Sequence, residues 1–421
     1  MKVLILAEQC NPEWPSLPIV GYKASKAIAE LIDCTVVTHI RNKANIEKSG
    51  FHNAEVIYID NEYIAKPIYK LSRFIRGSEG GWTTAMAFNY PSYLAFEWEA
   101  WKLLKDRINA EEFSLIHRVT PMSPTLPSII ATKTHTPFVL GPLNGGLKWP
   151  EHFHDERSKE KEWLSPIRNI YKYLPFRKTT LRKATAILAG FQHSIDDLPN
   201  EFREKIINFP EVGIDPQLFN NDSERNYHKK KKILFASRLV PYKLPDVVLQ
   251  AFISSELLQQ HELVIVGDGP MREEMEKKVK DYHLEHVIKF VGWKTQAEVS
   301  QYMRECVIFA YPTIRELGAG ALVEAMACKM TPIVVDYGAS AELVDHTRGI
   351  KLQLADKTEI TKQMIIELEK LVSDNLRLKE LSNNAYNHVM TFYAWQAKAK
   401  KSLQVYDWVL GNNSKKPVFW E

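Results

Sequence analysis

Short apolar runs rich in β-branched residues alternate with stretches of helical periodicity along most of the chain. In the first half the runs "KVLILA", "CTVVTHI", "EVIYID", "SLIHRV", "PFVLGP" and "TAILAG" read as strands, with helices over about 22–31, 92–109 and 125–133. The runs are continuously apolar rather than alternating, as expected of parallel strands covered on both faces. Around 209–232 the pattern lapses into a polar, turn-rich stretch that ends in Lys229–Lys232, which reads as a linker with a solvated approach to the next strand.

The pattern then restarts. Strands "KILFAS", "ELVIVG", "VIKFVG", "VIFAYP" and "TPIVV" are separated by helices from about 244, over "MREEMEKKVKDY", over "AEVSQYM" and from about 319–321. "TQAE" at 295–298 fits a capping box, with Thr295 as N-cap and Glu298 reaching back. The repeated strand–loop–helix plan predicts an α/β protein of two doubly wound, Rossmann-like domains, 1–212 and 213–395, followed by a terminal helix over 396–421. Ligands of such sheets bind where strands end, which directs attention to the loops that follow them.

Composition narrows the reading only a little. A chain of 421 residues exceeds one ordinary core. A net charge of +4 does not suggest a nucleic-acid binder driven by bulk charge. Cys10, Cys34, Cys306 and Cys328 are too scattered for a zinc or disulfide framework, which fits a reducing compartment. "MKVLILAEQC" has an apolar run too short for a signal peptide, and no eighteen-residue apolar run offers a membrane span. The expected location is the cytoplasm, with attachment to the inner face of the cell membrane left open.

The candidate chemistry lies in "IRELGAGALVEAMA", 314–327. On one continuous helix Glu316 and Glu324 would be about 12 Å apart in rise and out of phase. Gly318 and Gly320 instead suggest a tight turn into a helix beginning near Ala319–Ala321, so that the two acids flank an anion site at the helix N-terminus. The plainer alternative is that both merely favour a helix start, by about 0.3–1 kcal/mol each. Arg238 and Lys243, between a strand and a helix opened by Pro245, form a pair of cations suited to a diphosphate. Gly267 and Gly269 in "VIVGDGP" would let a flat base lie against backbone.

With these three loops in order, the second half resembles the donor-binding domain of family 4 retaining glycosyltransferases of the GT-B fold. The matching pieces are "SRLVPYK", "VIVGDGP", "FVGW", the two-glutamate stretch and "TPIVVDYGASAELV"; the "EVGIDPQLF" linker and the closing "FYAWQAKAKKSLQVYDWVLG" are similar too. The combination of "GWTT", "HRVTPMSPT" and "GPLNGG" looks like a bacterial subgroup of the cell-surface polysaccharide type. The resemblance implies two domains facing across a cleft, with the closing helix crossing back onto the first. It implies that Arg238 and Lys243 hold the donor diphosphate, that Glu316 binds the transferred sugar and Glu324 the ribose, and that the backbone of Leu317, Gly318, Ala319 and Gly320 meets phosphates and sugar. Gly267, Asp268 and Gly269, with the 292–294 turn, would contour the base pocket. Leu244 stands where the family often has glycine. The family's paired glycines after the first strand are reduced here to Gly21, and its functional histidine position is held by Val119. His117 and Thr120 on the neighbouring strand end, with Asn144 and Gly145 in "GPLNGGLKWP", are the acceptor or cleft candidates.

The implied reaction is retaining transfer from a UDP- or GDP-sugar to a glycan, lipid-linked or other hydroxyl acceptor. It uses no cofactor, and no metal, since no Asp-x-Asp pair is evident. Residues 163–183, basic and aromatic without an acid, and "KPIYKLSRFIRG" at 66–77 offer peripheral contact with an anionic membrane; packed helices with solvated charges account for them equally. A phosphorylase, a sugar-nucleotide epimerase and a non-catalytic binding subunit remain as alternatives.

Overall fold

The computed structural model describes residues 1–51, 53–76, 82–154, 156, 174–221, 227 and 230–421. They form two compact units, each built on one parallel sheet. The described residues of Met1–Gly146, of the stretch ending at Glu211, and of Trp395–Glu421 make the first unit; the stretch starting at Leu147 joins Val212–Ala394 in the second.

The first sheet has seven strands: β1 (Lys2–Ala7), β2 (Asp33–His39), β3 (Ala54–Ile59), β4 (Leu115–Thr120), β5 (Phe138–Leu143), β6 (Ala186–Ala189) and β7 (Ile206–Asn208), in the order β3-β2-β1-β4-β5-β6-β7. Its inner strands are buried from end to end, which is why they read as unbroken apolar runs. The order reverses between β1 and β4, where Leu6 pairs with Arg118.

Helix Leu17–Ala29 begins five residues before the sequence pattern suggests, because Pro18 opens its first turn. Helix Trp82–Asn109 runs through Pro91, where periodicity alone starts it afresh. Helix Ile129–Lys133 is shorter than expected: Ser128 caps it, accepting from the Ala131 amide. The terminal helix Trp395–Val409 packs against Leu17–Ala29 within the first unit, as the resemblance implies.

The second sheet has six strands: β8 (Lys232–Ala236), β9 (Glu262–Val266), β10 (Ile288–Gly292), β11 (Ile308–Tyr311), β12 (Thr331–Val335) and β13 (Ile350–Leu352), in the order β10-β9-β8-β11-β12-β13. This is the doubly wound arrangement, with its reversal between β8 and β11. The capping box at Thr295 and Glu298 is present in full. Of the four lysines, Lys231 is buried rather than solvated, and Lys232, the first residue of β8, pairs with Glu305 at the surface at 2.7 Å; Lys229 lies outside the described residues.

The stretch Leu147–Phe153 departs from the sequence reading, which places it in the first domain. It packs with the second because Phe153 lies in that unit's core and Trp149 against it.

Of the basic stretch 163–183, residues 163–173 lie outside the described residues. The rest forms helix Arg177–Lys183, with Phe176 exposed and Arg177 buried, donating to the Pro124 carbonyl at 3.2 Å. Among the described residues no helix is long and apolar enough to cross a membrane.

Candidate active site

Main-chain bonds stitch the loops at the carboxyl ends of β8, β9, β10 and β11 into one floor. Ser237 N donates to Val266 O at 3.1 Å and Leu239 N to Asp268 O at 2.9 Å. Gly267 N donates to Gly292 O at 2.9 Å, and Ile314 N to Tyr242 O at 3.1 Å. Gly267 has φ 130°, and a Cβ there would overlap the Ser237 carbonyl oxygen, so the close approach of the β8 and β9 loops requires glycine. Asp268 receives the Gly269 amide at 2.8 Å and pairs with Arg272 at 3.1 Å; its carboxylate orders this turn.

Lys243 and Glu316 meet above the reversal point. Lys243 closes the short 3-10 turn Pro241–Lys243 after β8; Glu316 lies in the loop after β11. Their side chains form an ion pair and are only 9% and 15% exposed. The Tyr311 hydroxyl donates to the same Glu316 oxygen at 2.6 Å and accepts from Lys243 at 3.1 Å. The Lys243 ammonium stands 5.4 Å from the Tyr242 ring centroid and 5.3 Å from that of Tyr311. Arg238 is exposed, donates to the Tyr242 hydroxyl and stands 5.8 Å from the same ring. The two cations thus share one tyrosine, which sequence reasoning passed over.

Helix Gly320–Ala327 begins where expected, with Ala319 as N-cap. Ala319 has φ 55° and no side-chain acceptor to offer, so it does not cover the helix's first amides. Glu324 sits a turn inside the helix, half-buried, and receives Gln296 Nε2 at 3.4 Å. Leu317, Gly318 and Gly320 are half-buried in the same loop.

Chain from the end of the first sheet's β5 loop reaches this floor. Trp149 lies under the Arg315 guanidinium at 4.9 Å and meets the Tyr242 ring edge-on at 6.1 Å. The Lys148 carbonyl accepts from the Tyr337 hydroxyl at 2.9 Å. Leu147 packs where a Cβ on Gly338 would stand, 3.0 Å away. The motif "GPLNGGLKWP" therefore contributes a strap to the second unit. Its tryptophan was the readable signal, although attention at the sequence level fell on its glycines.

The first-unit candidates are engaged with their own unit. His117 is buried, with Nδ1 2.7 Å from the Tyr406 hydroxyl and Nε2 2.7 Å from the Gly141 carbonyl. Burial holds its pKa down to about 4, so it is a neutral core histidine rather than a group ending a strand in an open site. Thr120 is buried and exchanges hydrogen bonds with the Gln9 backbone, both at 3.0 Å; a Cβ on Gly21 would overlap that Gln9 carbonyl. Gly21 therefore allows the close packing of helix Leu17–Ala29 against the loop after β1. Asn144 donates to buried Glu211, and Gly145 N donates to Ser194 Oγ at 3.1 Å. Glu211 carried no signal in the sequence beyond its place in "EVGIDPQLF".

Among the described residues no group of three or more His, Cys, Asp or Glu side chains is placed to hold a metal ion. Two doubly wound units, with paired cations and acids where the second sheet reverses, define the GT-B class. Residues 217–388, within the second unit, match the family described as Glycosyl transferases group 1.

The chain is 29% identical over 150 residues to the amylovoran biosynthesis glycosyltransferase AmsK of Erwinia amylovora, covering 33% of this chain and 36% of that protein. It is 27% identical over 289 residues to the probable sucrose-phosphate synthase of Thermosipho melanesiensis, covering 65% and 64%. The chain thus spans about a third to two thirds of the length of these relatives. The crystal structure of Anabaena HepE in complex with UDP superposes with a TM-score of 0.62 over 96% of this chain and 99% of that one, at 16% identity, a likeness of fold.

Proposed function

We propose that this protein is a family 4 glycosyltransferase that moves a sugar from a UDP- or GDP-sugar to a hydroxyl acceptor, with retention at the anomeric carbon. The observation that carries the reading is the meeting of Lys243 and Glu316 beside the N-terminus of helix Gly320–Ala327, with Arg238 sharing Tyr242. Cleavage of the anomeric bond places negative charge on the departing phosphate. Arg238, Lys243 and the helix amides form a preorganised counter-charge for it. Glu316 takes hydroxyls of the sugar and Glu324 those of the ribose. The acceptor attacks from the face the diphosphate leaves, and a phosphate oxygen takes its proton, so no carboxylate nucleophile is required. Arg238 and Lys243 do the work a divalent ion does elsewhere.

The group 1 domain and the similarity to AmsK support an acceptor within a growing polysaccharide, lipid-linked or free. Contact with the anionic inner face of the cell membrane through 163–183 belongs to the same reading.

Incubating the protein with a panel of UDP- and GDP-sugars tests the proposal. Release of nucleoside diphosphate that accelerates with a sugar acceptor is expected, and it persists in chelator. Release of a sugar phosphate instead indicates a phosphorylase, and interconversion to a free epimer an epimerase. Binding of UDP or GDP without consumption of any donor indicates a binding subunit.

A further inference from the structure

The Tyr311 phenol is a point at which the loops after β8 and β11 of the second unit meet. Tyr311 is the last residue of β11 and is buried, its ring stacked on Phe309 with centroids 5.0 Å apart. The hydroxyl accepts from Lys243 at 3.1 Å and donates to Glu316 at 2.6 Å. A phenol has one proton and two lone pairs. The proton is committed to Glu316 and a lone pair to Lys243, so each bond has a defined direction.

This arrangement exceeds what burial of a tyrosine demands, since one partner would satisfy the hydroxyl. Burial and the adjacent Glu316 carboxylate raise the Tyr311 pKa well above 10, so the phenol keeps its proton and remains a donor to Glu316 across the working range. Lys243 and Glu316 also bond each other directly, and in that closed pair each occupies the other. A diphosphate that draws Lys243 away would leave Glu316 without its cation. The Tyr311 hydroxyl is the group that still holds the carboxylate in place.

We propose that Tyr311 is a positioning residue for sugar transfer, its hydroxyl keeping Glu316 oriented toward the sugar while Lys243 turns from Glu316 to the leaving diphosphate. This rests on the donor-site reading given above. It assigns the phenol no bond-making step: no proton leaves Tyr311 during turnover.

The test is Tyr311→Phe, which keeps the buried ring, assayed with whichever nucleotide sugar the wild type consumes. Affinity for the bare nucleoside diphosphate, UDP or GDP, is expected to stay within about threefold by calorimetry, because Lys243 and Arg238 remain. The kcat is expected to fall about tenfold or more with a smaller change in KM, the pattern of a lost transition-state contact. Combined with Glu316→Gln, the phenylalanine is expected to cost nothing further, since its effect passes through that carboxylate. A kcat equal to wild type overturns the proposal, as does full additivity in the double variant. If Tyr311→Phe melts markedly earlier, the comparison of Glu316→Gln with the double variant at a temperature where both are folded still decides it. Wild-type protein that binds neither UDP nor GDP overturns the donor reading and this inference together. Donor turnover with an unaffected Tyr311→Phe overturns this inference alone.

Discussion

Lys243 and Glu316, 73 positions apart in the chain, are joined as an ion pair where β8 and β11 lie side by side. The relationship follows from topology: only the reversal of strand order makes the β8 and β11 loops neighbours. Removing either partner strands the other, which is largely desolvated already. Lys243→Ala and Arg238→Ala are expected to lower kcat for donor turnover by about 100- to 1000-fold each, as loss of a preorganised counter-charge does. Steady-state rates measured alongside circular dichroism check this; near-normal rates in both variants would remove the diphosphate role.

Glu324 is half-buried and one turn into its helix, and the proposed function gives it the ribose hydroxyls. Glu324→Ala is expected to weaken nucleoside diphosphate binding by about tenfold, the scale of a charge-assisted hydrogen bond, with kcat at saturating donor changed much less. Isothermal titration with UDP and GDP reads the first, and a substrate curve the second. Unchanged affinity would dissociate Glu324 from the ribose.

Leu244 takes φ 49°, a conformation that costs a non-glycine residue about 1–2 kcal/mol. Its side chain is nevertheless wholly buried in the second unit's core, and such a leucine contributes about 2–5 kcal/mol against alanine. Packing outweighs strain, which accounts for leucine at a backbone conformation that favours glycine. Leu244→Gly is therefore expected to be destabilising yet less so than Leu244→Ala, because only glycine relieves the backbone. Chemical denaturation of the two variants tests the order. Alanine proving the milder change would refute this account.

Acid should weaken the first unit through His117. Its pKa is about 4 in the fold against 6.5 in the unfolded chain, so between those values the unfolded chain binds the extra proton. The stability is present above pH 6.5 and is lost as pH falls toward 4, by roughly 3 kcal/mol at most. His193, also held to about 4 by burial, acts in the same direction. His117→Asn is expected to melt with a shallower pH dependence than wild type between pH 7 and pH 5. Parallel curves would show that His117 does not titrate on unfolding.

Much of the fold was legible because parallel strands covered on both faces must be continuously apolar, and ten or so such runs stand out. The edge strands β7 and β13 did not stand out, being three residues each and too short to carry a period, whereas the edge strands β3 and β10 did. Glu316 and Glu324 stood out because they flank glycines after a strand, and Arg238 and Lys243 because the pair falls between a strand and a helix opened by Pro245. Tyr242 and Tyr311 did not, since an aromatic residue in or beside a strand looks like core until its hydroxyl is seen to bond Arg238 or Lys243. His117 and Thr120 show the converse. Their polarity and position fit a ligand as well as a satisfied core group, and Tyr406, the Gly141 carbonyl and the Gln9 backbone bond them, partners so distant in sequence that they leave no local trace.

The strap of Leu147–Phe153 bears on recombination. A chimera spliced at the visible linker near residue 212 would take its second sheet from one parent and the tryptophan beneath Arg315 from the other. Shuffled or truncated versions of this protein should carry 147–153 along with the C-terminal partner. Otherwise the graft exposes the face that Trp149 and Phe153 had covered and leaves Tyr242 without its buttress.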